Sequence, residues 1–339
     1  MNRFSKKKCS WVVMFFATSG LNLFHGIASA NECPSDEFTA FLNVFSKAPE
    51  VQQNLTAGSI KVMTLKPAKE SDSFEPQTTE VLNSRLAFPL MTQIPLSQVD
   101  GVEIEKIDDQ HVNVIDKRAG NSNIKVFNFT HKACWVLDGM EDWSIREKDL
   151  SASEKAGMNR VETHCYQRAK SYANLAGGEQ YRLTAELFEA ALENYTCAAA
   201  SGDPQASLEA ASLSLSGMAP QLKTTQVEAL LKAAATTMAD GAAALSTFYC
   251  YGNSTSADGP CQNPHLAEKE LIRAASMGSV DAINYLGYAF EQGEFSTRDV
   301  SRAMACYRLA ADKGNETATA NVQRLKAQVA DIPMGSSCY

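Results

Sequence analysis

Apolar positions along this chain follow two different periods, and the change falls near residue 150. In the first half, Phe38, Phe41, Leu42 and Phe45 recur on one helical stripe after Ser35 and Asp36. That spacing predicts a single helix with a broad aromatic face. Farther on come VEIEKI at 102–107, HVNVI at 111–115, IKVFNFT at 124–130 and CWVLDGM at 134–140. Within the third, Ile124, Val126, Asn128 and Thr130 alternate with Lys125, Phe127 and Phe129. These runs predict strands, and a curved antiparallel sheet gives the helix a surface on which to bury its face. Residues 66–83, rich in Ser, Glu and Thr, read as an exposed loop.

Beyond residue 150 the chain turns alanine-rich, with helical stretches over 158–176 and 180–200 that Gly177-Gly178 divides as a hairpin turn. Ser151-x-x-Glu154 offers a capping box for the start of this half. Gly202, Gly241, Gly278 and Gly314 then stand 39, 37 and 36 residues apart. Ala198-Ala199, Ala274-Ala275 and Ala310-Ala311 come just before three of these glycines, and Ala206, Ala282 and Ala318 follow them. The copy at Gly241 is degenerate. Small residues on a helix stripe let a neighbouring backbone approach, and glycine adopts the left-handed conformation that ends one helix and redirects the chain. A period of this size predicts stacked helix pairs, none stable without its neighbours. A helix from Thr317 to about Val329 would close the stack, and Pro333 would end it.

Two resemblances follow from these residues. Ala282, Leu286-Gly287, Phe290, Gly293, Ala303, Tyr307, Ala310-Ala311, Gly314 and Ala318 together resemble a complete Sel1-like repeat, a relative of the tetratricopeptide repeat. An earlier unit runs from Ala244 to Gly278 with an inserted loop holding Cys250 and Cys261, and a weaker one covers about 204–241. FTAFLNVFSK, Pro89-Leu90 and CWVLDGMEDWSI resemble exported α+β domains built like nuclear transport factor 2. The expected organisation is a signal peptide at 1–30, an α+β domain at 31–148, an all-α solenoid of Sel1-like helix pairs at 151–332 and a tail at 333–339. The Sel1-like resemblance implies a non-enzymatic adaptor that binds a protein or peptide, and it also admits an immunity protein against a secreted toxin.

The leader rests on Arg3, Lys6, Lys7 and Lys8, the apolar run at 11–24, and Ala28-Ser29-Ala30. Such a segment is removed on export, which predicts a periplasmic or secreted protein. Its loss takes four positive charges and no negative ones, moving the formal charge from -8 to -12. An acidic chain disfavours nucleic acid and anionic membrane as partners, and no window predicts a membrane span. Eight cysteines remain, an even number suited to disulfides in an oxidising compartment, though many pairings are open. Proximity favours Cys250 with Cys261, Cys33 with Cys134 would staple the first domain, and Cys306 with Cys338 would pin the tail. Cys165 with Cys197 would then span one helical hairpin. No cysteine spacing suits zinc or thiol exchange. Five N-x-[ST] triplets read as chance, since Asn194 falls inside a helical stretch.

Catalytic patterns are missing. His111, His131, His164 and His265 share no metal-ligand spacing and read as surface or capping residues. No nucleophile elbow or phosphate loop occurs, and no cofactor is predicted. Glu141-Asp142 before Trp143 could serve as a catalytic carboxylate in a conical fold, but a polar edge beside a packed tryptophan is the preferred reading. Should the repeats grip a partner, the inner helices would line the concave side. On the best-preserved unit, the face away from Ala282, Leu286 and Phe290 offers Asp281, Asn284, Tyr288 and Glu291. The rival expectation is a small-ligand carrier or enzyme with its site in the cavity of the first domain.

Overall fold

The computed structural model describes residues 33–68, 73–94, 100–118, 120, 122–178, 181–254, 259–329 and 336–339. The predicted signal peptide, and part of the predicted tail, lie outside the described residues.

The aromatic stripe forms α1 (Phe38–Phe45), capped by the Glu37 carboxylate, which accepts from the backbone N–H groups of Thr39 and Ala40. A short α2 (Pro49–Asn54) follows. Six strands come next: β1 (Thr56–Pro67), β2 (Phe74–Leu82), β3 (Val102–Lys106), β4 (His111–Asp116), β5 (Lys125–His131) and β6 (Trp135–Asp142). They lie in the order β2-β1-β6-β5-β4-β3. The four expected strands make an antiparallel meander, but the sheet is mixed, because β1 joins β6 in parallel.

The exposed loop expected over 66–83 is corrected by the β1–β2 hairpin, whose register runs from Ser59–Leu82 to Pro67–Phe74. Every residue of β2 except Phe74 and Val81 is exposed. An edge strand wet on both faces has no hydrophobic alternation to read, and its Thr, Glu and Pro content is what such edges carry.

One face of the sheet receives α1. Phe41, Leu42 and Phe45 are fully buried against Phe127, Phe129, Trp135 and Leu137, and the Phe45 and Phe129 rings meet edge to face at 5.1 Å. The Cys33–Cys134 disulfide ties the residues before α1 to the start of β6.

The other face packs on the helical half. Met63, Leu65, Ile115, Ile124, Val126, Trp143 and Ile145 share one core with residues of α3 (Arg160–Ala176), α4 (Thr184–Ala199) and α5 (Pro204–Leu215). Composition changes near residue 150, but the core continues across it. At its centre the Tyr172 hydroxyl lies 3.1 Å from the carbonyls of both Ser122 and Trp143 and accepts from the Ile145 N–H. Ser122 holds a left-handed φ of 59°. Its hydroxyl donates to Glu193 and accepts from Asn194. Asn194, the N-x-[ST] residue inside a helix, is therefore buried and engaged, in keeping with chance.

Six further helices continue the array: α6 (Thr224–Ala234), α7 (Ala239–Tyr251), α8 (Pro264–Ser276), α9 (Val280–Gln292), α10 (Val300–Asp312) and α11 (Glu316–Gln328). From α3 to α11 each packs on the next. This is the stack of hairpins that the small-residue period predicts. The capping box sits at Asn159 and Glu162, before α3, rather than at Ser151 and Glu154. The four cysteine pairs expected from position are the four disulfides present.

Gly202, Gly278 and Gly314 end their helices at φ of +80°, +100° and +90°, as expected. Gly241 is the exception. It lies inside α7, three residues after the N-cap Met238, the place that Ala206, Ala282 and Ala318 hold after Asp203, Ser279 and Asn315. The α6–α7 turn dispenses with glycine, and Met238 N–H bonds directly to the Ala234 carbonyl. Measured on Ala198, Ala234, Ala274 and Ala310, the spacings become 36, 40 and 36. The long middle unit is extended by the loop that Cys250–Cys261 closes.

A Cβ on Gly241 would stand 2.6 Å from the Ala234 carbonyl carbon, whereas one on Gly202 would meet nothing within 4 Å. We therefore expect Gly241→Ala to cost about 2 kcal/mol through backbone displacement, and Gly202→Ala about 1 kcal/mol through its left-handed φ. Urea midpoints of the two variants test this. The reverse order would mean that Gly241 serves as a turn after all.

Candidate functional site

Helix α9 carries the residues predicted to meet a partner. The Ser279 hydroxyl caps it by accepting from Ala282 N–H, and Ala282, Ile283, Leu286, Ala289 and Phe290 form its buried face. Gly287 allows the Tyr307 ring of α10 to lie where a Cβ would be, 2.6 Å from the nearest ring carbon. This fixes which face of α9 turns away from α10.

On the remaining face, three of the four candidates are engaged by α11. Asp281 Oδ1 accepts from Asn315 Nδ2 at 2.9 Å, and Asn284 Oδ1 accepts from Asn321 Nδ2 at 3.2 Å. Glu291, only 4% exposed, accepts from both terminal nitrogens of Arg324 at 2.6 Å and from the Tyr307 hydroxyl at 2.8 Å. Those bonds hold the Glu291 carboxyl below the usual carboxylate range, with the Arg324 guanidinium the leading cause. The expectation that these residues face a partner is thus corrected for Glu291, which is buried, while Asp281 and Asn284 are shared with α11. Polar side chains spaced along α9 need not be solvated when α11, two helices on, offers matching groups.

Tyr288 is left facing outward. It is 47% exposed, and its ring stacks on Tyr285 at 5.8 Å with 17° between planes. On the α7 side, the hydroxyls of Tyr251 and Tyr285 both donate to Glu294 Oε1, at 2.6 and 3.0 Å. Gly293, left-handed at φ +73°, turns the chain so that Glu294 comes up beside them. Of these three tyrosines the sequence singled out only Tyr288. The signal was the i, i+3 pair Tyr285 and Tyr288 followed by a glycine stop and an acidic residue, which unites them only once α7 is known to lie alongside.

The alternative site in the first half has different content. Glu141 lines a cleft of about 400 Å³ with Lys61, Met63, Asn128, Trp143 and Arg182. Its Oε2 accepts from the Trp143 indole at 3.0 Å, and its Oε1 pairs with Arg182 at 2.5 Å. Asp142 accepts from the Ser144 N–H, and Trp143 is buried. A carboxylate held by two donors is a polar edge, as preferred. Deeper on the sheet, Asn128 donates to Asn113, which donates to Glu105, a cross-strand row that no sequence pattern announced.

The histidines stand apart. His111 binds Asp108, His131 faces Trp135, and His265 is exposed. His164 is buried with Glu147 3.6 Å away, which corrects its reading as a surface or capping residue. Among the described residues no group of His, Cys, Asp and Glu is arranged to hold a metal ion, and no helix is long and apolar enough to cross a membrane.

No family model matches this chain, and no curated protein does. Among solved structures, the chain is similar to a Sel1 repeat protein from Oxalobacter formigenes, at 20% identity and a TM-score of 0.41, over 51% of this chain and 68% of that one. It is also similar to c5321, a protective antigen present in uropathogenic Escherichia coli strains displaying an SLR fold, at 22% identity and a TM-score of 0.40. That match covers 50% of this chain and 34% of the antigen. The helical half of this chain carries its own alanine spacing and its own succession of packed helices.

Proposed function

We propose that this protein is a non-enzymatic, exported scaffold whose helical repeats bind another protein, with Tyr288 and its neighbours on α7 and α9 at the contact. The carrying observation is the Tyr288 ring, 47% exposed and stacked on Tyr285, since rings of this kind anchor protein contacts. Four disulfides are consistent with an oxidising compartment such as the periplasm. The acidic charge favours a basic partner, and a basic secreted toxin, met by an immunity protein, is one of that kind.

Because the sheet and α3–α5 share a core, cutting at residue 150 would expose apolar surface, so the test uses the whole mature chain. Wild type, Tyr288→Ala and the cleft variant Lys61→Glu are immobilised and exposed to envelope extract. A partner held by wild type and Lys61→Glu but lost by Tyr288→Ala is the expected result. Loss by Lys61→Glu with retention by Tyr288→Ala would move the site to the sheet and overturn the reading.

A further inference from the structure

We propose that Tyr251, Tyr285, Tyr288 and Glu294 form a receptor for one cationic side chain, a lysine ammonium or an arginine guanidinium, projecting from the partner. This rests on the scaffold reading and adds the chemistry that its contact would recognise.

The case begins with Glu294. Both tyrosine hydroxyls donate to Oε1, while Oε2 is shut off from solvent and has no hydrogen-bond partner among the described residues. Among the described residues, no Lys, Arg or His forms an ion pair with this carboxylate. The nearby arginines are committed elsewhere: Arg324 to the Glu291 carboxylate and Arg298, through Nε, to the Glu291 carbonyl. A carboxylate with no countercharge of its own leaves a negative field around the tyrosines that its Oε1 holds, and a cation is the group such a field attracts. Burial and the carboxylate keep the phenols protonated. Hydrogen bonding to Glu294 leads for Tyr251, pushed up to about 12, and burial leads for Tyr285, pushed higher still. Both remain donors, so neither adds a second negative charge.

The rings supply the rest. Tyr285 and Tyr288 stack, and the exposed side of Tyr288 is a face over which a cation is attracted by the ring quadrupole. An ammonium placed there lies in the field of Glu294 through Tyr285, whose hydroxyl touches that carboxylate. The cation can gain from the charge without displacing either tyrosine from Oε1. Tyr251 is fixed by its neighbour Cys250, whose disulfide to Cys261 closes the loop after α7. The receptor is therefore built before a ligand arrives, which limits the ordering cost of binding.

The test uses the full mature chain with ¹³C-labelled tyrosine, titrated with N-acetyl-lysine methylamide, N-acetyl-arginine methylamide and the neutral N-acetyl-norleucine methylamide. Saturable shifts of the Tyr251, Tyr285 and Tyr288 ring resonances are expected from both cations, with Kd on the order of millimolar for an isolated side chain. The neutral probe should bind at least ~10-fold more weakly. Glu294→Gln keeps an acceptor for the two hydroxyls and hence the local fold, and it should weaken the cations by roughly 10-fold. Equal shifts from the neutral probe, or undiminished binding in Glu294→Gln, would overturn the proposal. Capture of a partner through Tyr288 with no response to the cations would leave the scaffold standing and sink this receptor. A cation response without partner capture does the opposite.

Discussion

Replacing Cys33 and Cys134 together by serine is expected to lower the unfolding free energy by about 4 kcal/mol, the largest effect of any disulfide here. The two cysteines are 101 residues apart in sequence, so the bridge removes more conformational freedom from the unfolded chain than any other. By the same loop-closure argument the Cys250–Cys261 bridge, with a separation of 11, contributes about 2 kcal/mol less. Packing adds to the difference. The residues that Cys33 holds down lead into Phe38, whose ring sits edge-on to Trp135 at 4.9 Å and to Phe129 at 5.4 Å, and the Trp135 indole donates to the Asp36 carbonyl. Urea unfolding followed by the fluorescence of Trp135 and Trp143 checks the ranking. Should the Cys250–Cys261 double serine variant lose as much or more, chain entropy is not what the long bridge supplies.

What the sequence disclosed and what it hid divide along a physical line. Residues whose role is set by local geometry were legible. The α1 stripe, the strands β3–β6, the alanine pairs before Gly202, Gly278 and Gly314, and the cysteine pairs all follow from period or position. Residues whose role is set by a neighbour distant in sequence were not. Strand β2 carries no period because both its faces are wet. Gly241 was read in the wrong register because the inserted loop stretches the span from Gly202 to Gly278 to 76 residues, and Gly241 stands near its middle. Glu291 was placed outward by helical counting, which cannot see that Arg324, 33 positions later, comes back to meet it. The core joining Met63 and Trp143 to Tyr172 and Leu187 crosses the point where composition changes, so a boundary drawn on composition does not coincide with one drawn on packing. Of the aromatic site, Tyr288 was legible as an outward residue, but its union with Tyr251 and Glu294 depends on how α7 lies against α9.

Arg324→Ala is expected to cost about 3 kcal/mol, because it strands the Glu291 carboxylate in a place water does not reach. The figure sits at the low end for a broken buried pair, since the Arg324 side chain is itself 40% exposed. Glu291→Gln should cost less, because a neutral amide can still accept from Arg324 and Tyr307 and carries no charge to desolvate. The dependence on pH separates the two. The folded-state pKa of Glu291 is lowered, so the contribution of its charge is complete above the unfolded carboxylate value, near 4.3. It fades as pH falls through the folded value. The stability gap between wild type and Glu291→Gln should therefore be full at neutral pH and close in acid. The seam also predicts where the damage appears. Glu291, Asn284 and Asp281 meet Arg324, Asn321 and Asn315, so Arg324→Ala should raise amide exchange along α11 before it affects the sheet. Uniform loss of protection through the whole chain would mean that α11 is held by Leu325 and Ala318, buried in the common core, and that the polar seam contributes little. Loosening confined to α11 would show that this helix closes on α9 through the polar seam.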